Sequence, residues 1–129
     1  MRPINQWTSE IIGASIEVHR TLGPGLLEAA YEDCLCHEFA ARGIPFERQK
    51  VLPLVYKGLH VGQGYRLDIL VADRVVVEIK AVEELLPRHA TQVLTYLRLG
   101  GWQIGLLVNF NSAVLSESIC RIANNYRET

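Results

Sequence analysis

Three charged residues interrupt two apolar runs in the segment GYRLDILVADRVVVEIKA, residues 64–81. They are Asp68, Glu78 and Lys80. A tight turn centred on Asp73 places residue 71 opposite 75 and residue 68 opposite 78. Directly opposed side chains share a sheet face, with Cβ atoms about 4.5–5.5 Å apart. Glu78 and Lys80, two residues apart, share a face as well. Opposed carboxylates repel one another, and a divalent cation resolves that conflict. Mg²⁺ accepts one or two carboxylates and fills its remaining positions with water and substrate phosphate oxygens. A neighbouring ammonium can position an attacking water or stabilise charge on a pentavalent phosphorus. The three groups together suit metal-assisted phosphodiester hydrolysis. The plainer reading is a half-exposed strand, with Val77 and Ile79 inward and Glu78 and Lys80 in water. On the hairpin alone, the plainer reading is preferred.

Two further spacings shift that preference. TQVLTYL places Gln92 and Tyr96 at i and i+4, on one face of the helix that follows the hairpin. Such a helix can pack across the sheet face that carries the charged patch. Glu28 lies three residues before Tyr31 on an earlier helix. Read plainly, the first pair is one buried tyrosine with a polar neighbour, and Glu28 is a first-turn acid complementing the helix dipole.

The elements that must hold these groups are legible from periodicity and punctuation. Residues 5–21 carry apolar side chains at helical spacing, among them Ile11, Ile12, Ile16 and Val18. LGPGLLE then turns the chain through Gly23, Pro24 and Gly25. A second helix is expected from about Leu26, carrying Leu27, Ala30, Tyr31, Cys34, Leu35 and Phe39, and ending at Gly43 and Pro45. FERQKVLPLVYKG, residues 46–58, reads as a strand in which Pro53 marks an edge or a bulge. The hairpin strands follow, then a helix over 86–101 closed by Gly100 and Gly101. WQIGLLVNF is a continuous apolar strand buried on both faces, and residues 114–125 are expected to form a terminal helix. The predicted order is α-α-β-β-β-α-β-α. It makes an α/β (α+β) fold, in which a three-stranded antiparallel meander is joined by a helical crossover to a parallel strand. The result is a mixed central sheet flanked by helices.

The 129 residues are the size of a single domain, 1–129, and 49% hydrophobic content is ample for one core. No apolar run reaches the roughly 20 residues of a membrane span. The polar opening MRPINQWTSE lacks a secretory signal's apolar core, so a cytoplasmic location is expected. A net charge of −1 argues against a general nucleic-acid coat. Cys34, Cys36 and His37 could hold zinc if Cys120 came near. Positions i and i+2 of a helix do not share a face, however, and a helical CLCH is the preferred reading.

In combination these features resemble the PD-(D/E)XK nuclease superfamily. Asp68, a spacer and Glu78-Ile79-Lys80 follow its signature, although Asp68 is preceded by Leu67, in YRLD, where the signature has proline. QVLTY, Gln92 to Tyr96, is similar to the QxxxY element of the RecB-type branch. GLLEAAY, Gly25 to Tyr31, resembles GxxExxY, the string that names a family of small bacterial proteins in the superfamily. The likeness spans nearly the whole chain. It implies a nuclease-like core, with Asp68, Glu78 and the backbone carbonyl of Ile79 as ligands of Mg²⁺ or Mn²⁺. Lys80 is then the catalytic lysine, and Glu28 the helical acid completing the site. Gln92 orients the site or contacts substrate, supported by Tyr96 and by Tyr31 of the GxxExxY string.

The function expected first is metal-dependent cleavage of nucleic acid, DNA ahead of RNA, with a homodimer able to supply two sites for two strands. The alternative is a non-catalytic module that keeps the fold as a nucleic-acid or protein-binding platform. A third reading, a small-molecule enzyme, draws on His19, His37, His60 and His89. Of these only His89 lies beside the proposed helix, at the mouth of the site.

Overall fold

A computed structural model describes residues 2–127. Helix α1, Ile4–Leu22, buries Ile4, Thr8, Ile11, Ala14, Ser15 and Val18. That three-to-four spacing makes one continuous stripe. Gly23, at φ +70°, ends it by donating its N–H to the His19 carbonyl. Helix α2, Glu28–Ala41, starts two residues later than expected. Leu27 is its extended N-cap and is 81% exposed, so it is not an interior helix residue. Tyr31, Leu35 and Phe39 form the buried stripe. The helix stops just before Gly43, which takes φ +71°.

Strand β1, Phe46–Leu52, ends immediately before Pro53, which could not donate to a continued ladder. The run read as one strand is therefore two pieces. Beyond Pro53, β2 (Val55–Tyr56) and β3 (Leu59–His60) form a separate two-stranded hairpin. It reverses at Lys57-Gly58, both with positive φ, as a type I′ turn requires. Strands β4 (Tyr65–Val71) and β5 (Val75–Lys80) make the hairpin read from the sequence. Ala72 and Asp73 both take φ +53° in its turn, and Arg74 N–H closes onto the Val71 carbonyl. Helix α3, Pro87–Gly100, leads through left-handed Gly101 into β6, Ile104–Asn109. All six residues of β6 are buried, as its unbroken apolar run predicts.

The expected terminal helix over 114–125 does not form. A single 3₁₀ turn, Leu115–Ser118, is followed by strand β7, Ile119–Ala123. Without β7 one side of buried β6 would carry unpaired backbone groups. Pairing from Ile104–Ala123 to Val108–Ile119 satisfies them and overrides the local helical pattern.

The five-stranded sheet runs β1-β4-β5-β6-β7, so β1 is an edge strand. β5 and β6 are parallel, joined through α3, and the other neighbours are antiparallel. This is the mixed sheet flanked by helices that the element order implies. On one face α1 and α2 pack over Ile69, Val71, Val77, Ile79 and Val108. On the other, Val93, Tyr96 and Leu97 of α3 pack over Leu70, Val76 and Leu107. A Cβ at Gly105 would lie 2.6 Å from Val93 Cγ1, so this glycine lets α3 sit close against β6. Among the described residues no helix is long and apolar enough to cross a membrane.

Candidate active site

Strand β4 loses its pairing on both sides at one residue, Asp68. Toward β1, the pairs Arg48–Ile69 and Lys50–Leu67 flank a position where Gln49 and Asp68 are not paired. The register is the same on either side, so no residue is inserted. Instead the Gln49 backbone is turned to φ +50°. Toward β5 the ladder runs through Val71–Val75, Leu70–Val76 and Ile69–Val77 and ends there. That register matches the one read from the turn at Asp73. Beyond it, side chains replace carbonyls. Asp68 N–H donates to Glu78 Oε1 at 3.0 Å, and Ile79 N–H donates to Asp68 Oδ2 at 2.9 Å. The two carboxylates therefore lie across the seam between the strands.

This arrangement rules out the half-exposed strand. Glu78 is only 4% exposed. Burial, then the charge of Asp68, push its carboxyl up to about 8. Asp68 is raised too, first by burial and further by the charge of Glu32. The pair thus retains a shared proton to higher pH than isolated carboxyls would. Lys80 is close enough to lower the proton affinity of both. It is half-buried at the end of β5.

The remaining candidates distribute around this pair. Tyr96 is buried on α3, and its hydroxyl is pushed up to about 12 by burial and by Glu78 and Asp68. Gln92, one turn earlier, is exposed, and its side chain is hydrogen-bonded to the Tyr96 hydroxyl. His89 is lowered by desolvation, then by Lys80 and Arg88, and raised by Glu28. His89 thus lies within electrostatic reach of Lys80 and of exposed Glu28. His89 Nδ1 is itself engaged, accepting the Leu86 N–H at 2.9 Å where α3 begins. His19 lies elsewhere, with Nε2 2.6 Å from the Ser112 carbonyl oxygen.

Three supporting residues escaped the sequence reading or were read incompletely. Glu32, one turn after Glu28, is 8% exposed and is the α2 acid whose charge reaches Asp68. Its Oε2 accepts from Arg48 Nη2 at 2.8 Å and its Oε1 from Gln49 Nε2 at 2.9 Å. The side chains of Glu32 and Gln49 thus tie α2 to the twisted backbone beside Asp68. The i, i+4 repeat of Glu28 was visible, but its partners are distant in sequence. Asn109, 3% exposed, accepts the Val82 and Asn111 N–H groups and donates to the Val82 carbonyl. It fixes the chain just past Lys80.

Tyr31 acts through the turn that precedes Glu28. Its hydroxyl donates to the Gly23 carbonyl at 2.6 Å and accepts the Leu26 N–H at 3.1 Å. Its ring stacks on Phe110 with centroids 4.6 Å apart. Tyr31→Phe keeps the stack and strands both backbone groups, which is expected to cost about 1–3 kcal/mol. Equilibrium urea unfolding measures this. An unchanged midpoint would show that the hydroxyl contributes nothing to the turn.

The cysteines do not assemble. Cys34 is half-buried and Cys120 exposed, while Cys36 is buried and its thiol pushed up to about 11 by burial. Among the described residues no three His, Cys, Asp or Glu side chains are placed to hold a metal together. The site thus offers the oxygens of two carboxylates. That donor set suits a hard, water-retaining cation such as Mg²⁺ and not zinc.

A family model described as the PD-(D/E)XK nuclease superfamily matches residues 5–122. No curated protein and no solved structure matches the chain. The matched span contains the interrupted strand pair and the helices that position it, and the chain belongs to the PD-(D/E)XK nuclease superfamily.

Proposed function

We propose that the protein is a divalent-metal-dependent nuclease that hydrolyses phosphodiester bonds in DNA. One observation carries this reading: a buried carboxylate, Glu78, and a half-buried one, Asp68, both raised in proton affinity, meet across the strand seam beside a lysine. Their structural role as acceptors of two backbone N–H groups could be filled by amides, so it does not by itself account for two opposed acids.

In this reading Asp68, Glu78 and the Ile79 carbonyl hold Mg²⁺ or Mn²⁺. When bound, the ion supplies Lewis-acid polarisation of the phosphoryl group and a more acidic water. Lys80 orients the attacking water or donates to a phosphoryl oxygen as charge builds there. Glu78 must release its proton before an ion is held, so affinity tightens as pH rises toward 8. Gln92 lies at the mouth, where it can contact substrate, and Tyr96 packs behind the carboxylates. Glu28 completes the rim, and Tyr31 sets the turn that places it. The GxxExxY string supports assignment to that group of bacterial proteins, with residues 1–129 as one domain acting in the cytoplasm. A homodimer would present two such sites.

The test is calorimetric titration of Mn²⁺ and Mg²⁺ into the protein and into Asp68→Asn and Glu78→Gln. The same samples are then assayed on single-stranded, double-stranded and branched DNA. Metal binding with proton release, lost in both variants and accompanied by cleavage, is the expected result. Absence of metal binding by the intact protein in the presence of DNA would leave a non-catalytic binding module.

A further inference from the structure

We propose that the β2–β3 hairpin and the adjoining end of β4 form a platform for an unpaired nucleic-acid strand entering the site. The inference takes its direction from the nuclease reading. It stands on features of the hairpin that the fold does not require.

The hairpin contributes nothing to the core. Each of its strands has two residues, and all four are exposed. Val55 is 50% exposed, Tyr56 61% and Leu59 63%. Burial therefore does not explain why these positions are apolar and aromatic. A two-stranded ribbon of this size has little stability of its own. Its type I′ turn and the Val61 N–H bond to the Leu54 carbonyl hold it in shape.

Its charge is one-sided in a chain that is otherwise balanced. The chain has 13 Lys and Arg against 14 Asp and Glu, yet residues 48–67 contain no carboxylate. Arg48 and Lys50 in that stretch are spent on Glu32, Asp33 and Glu47. Lys57 and Arg66 are not: among the described residues neither has a carboxylate in ion-pair range. Lys57 lies 5.4 Å from the centre of the Tyr56 ring, so a cation and an aromatic face are presented together.

The platform opens onto the candidate site. Leu52 pairs with Tyr65 at the root of the hairpin. Arg66 follows Tyr65 on the part of β4 that lies beyond the last β4–β5 pair, Ile69–Val77. The Tyr65 ring lies 5.9 Å from Tyr96, whose hydroxyl senses Glu78 and Asp68. Tyr65, at the root of the hairpin, thus links the exposed Tyr56 and Lys57 through the chain to Tyr96 on the helix beside the carboxylates. Unpaired bases offer faces for stacking and phosphates for the cations, whereas a duplex hides the faces.

The test is fluorescence anisotropy with a fluorescein-labelled oligothymidylate, its oligouridylate counterpart and a DNA duplex, all in EDTA so that nothing is cut. Tighter binding to the single strands than to the duplex is expected. Tyr56→Ala should weaken single-strand binding roughly 5- to 100-fold. Lys57→Gln should weaken it and lower the salt slope by about one unit. Melting temperature and Mn²⁺ affinity should be unchanged in both variants. Wild-type affinity in both variants, preference for duplex, or loss of self-association in place of oligonucleotide binding overturns the platform. Hairpin-dependent binding without metal-dependent cleavage keeps the platform and removes the nuclease reading. Cleavage that is indifferent to Tyr56 and Lys57 does the reverse.

Discussion

Replacing Glu78 by glutamine is expected to abolish metal-dependent cleavage and, at the same time, to raise the melting temperature of the metal-free protein at alkaline pH. The amide keeps an oxygen for the Asp68 N–H and removes a buried acid. In the folded protein Glu78 is raised from 4.5 to about 8 by burial and by Asp68. A raised folded value means that the native state binds the proton more tightly than the unfolded chain does. The associated stability is complete below about 4.5 and is lost as pH rises through about 8. Asp68 moves in the same direction. The wild type should therefore melt lower at pH 8.5 than at pH 5, its unfolding free energy smaller by an amount on the order of a few kcal/mol. Glu78→Gln should flatten that profile, with little difference from wild type at pH 5. Saturating Mn²⁺ at pH 8.5 should restore the wild type and leave the variant unmoved. Calorimetric melts across pH, with and without metal, separate these effects. A wild type whose stability rises from pH 5 to 8.5 would contradict the shared-proton description.

The second large effect is expected at Lys80. Lys80→Ala should lower single-turnover cleavage by about 10²–10³-fold, the size found when one donor to a developing oxyanion is removed. Removing Lys80 raises the proton affinity of both carboxyls further, so Mg²⁺ affinity is compared at pH 9.5, above the wild-type Glu78 value of about 8, where it should change little. Lys80→Arg should recover only part of the rate, because a planar fork does not replace a compact ammonium. Loss of metal binding in Lys80→Ala, in parallel with the loss of cleavage, would make Lys80 a counter-ion of the carboxylate pair and not a participant in the reaction.

What the sequence disclosed follows from the range of the forces involved. The β4–β5 register was legible because the turn at Asp73 fixes it locally. Once fixed, it brings Asp68 to Glu78 without further information. β6 was legible from its unbroken apolar run, and α3 from the spacing of Val93, Tyr96 and Leu97. β7 was not, because Ile119–Ala123 becomes a strand only by completing β6, a partner whose demand is invisible in the local pattern. β2 was absorbed into one strand reading over 46–58 and β3 was not read, although Pro53 and the Lys57-Gly58 turn both marked the break. At the site, residue types were readable but their supports were not. Glu32, Arg48 and Gln49 come from a helix and an edge strand, and only the folded chain shows that they meet. The expectation that Asp68 and Glu78 stand side by side on an intact ladder was also incomplete. Local rules describe regular pairing, and the site depends on its interruption.

That interruption makes the sheet depend on its own reactive groups. Where β4 parts from β5, the only links between Asp68, Glu78 and Ile79 in the hydrogen-bond pattern run through two carboxylates. Truncating either to alanine removes a stitch as well as the proposed ligand, so inactivity in such a variant says nothing about catalysis. The same double duty narrows the routes open to divergence. A descendant that abandons the chemistry still needs a side-chain acceptor at both positions, and asparagine and glutamine are the nearest residues that supply one. Copies of this fold retired from cleavage should therefore keep amides at positions 68 and 78 and not drift to aliphatic residues.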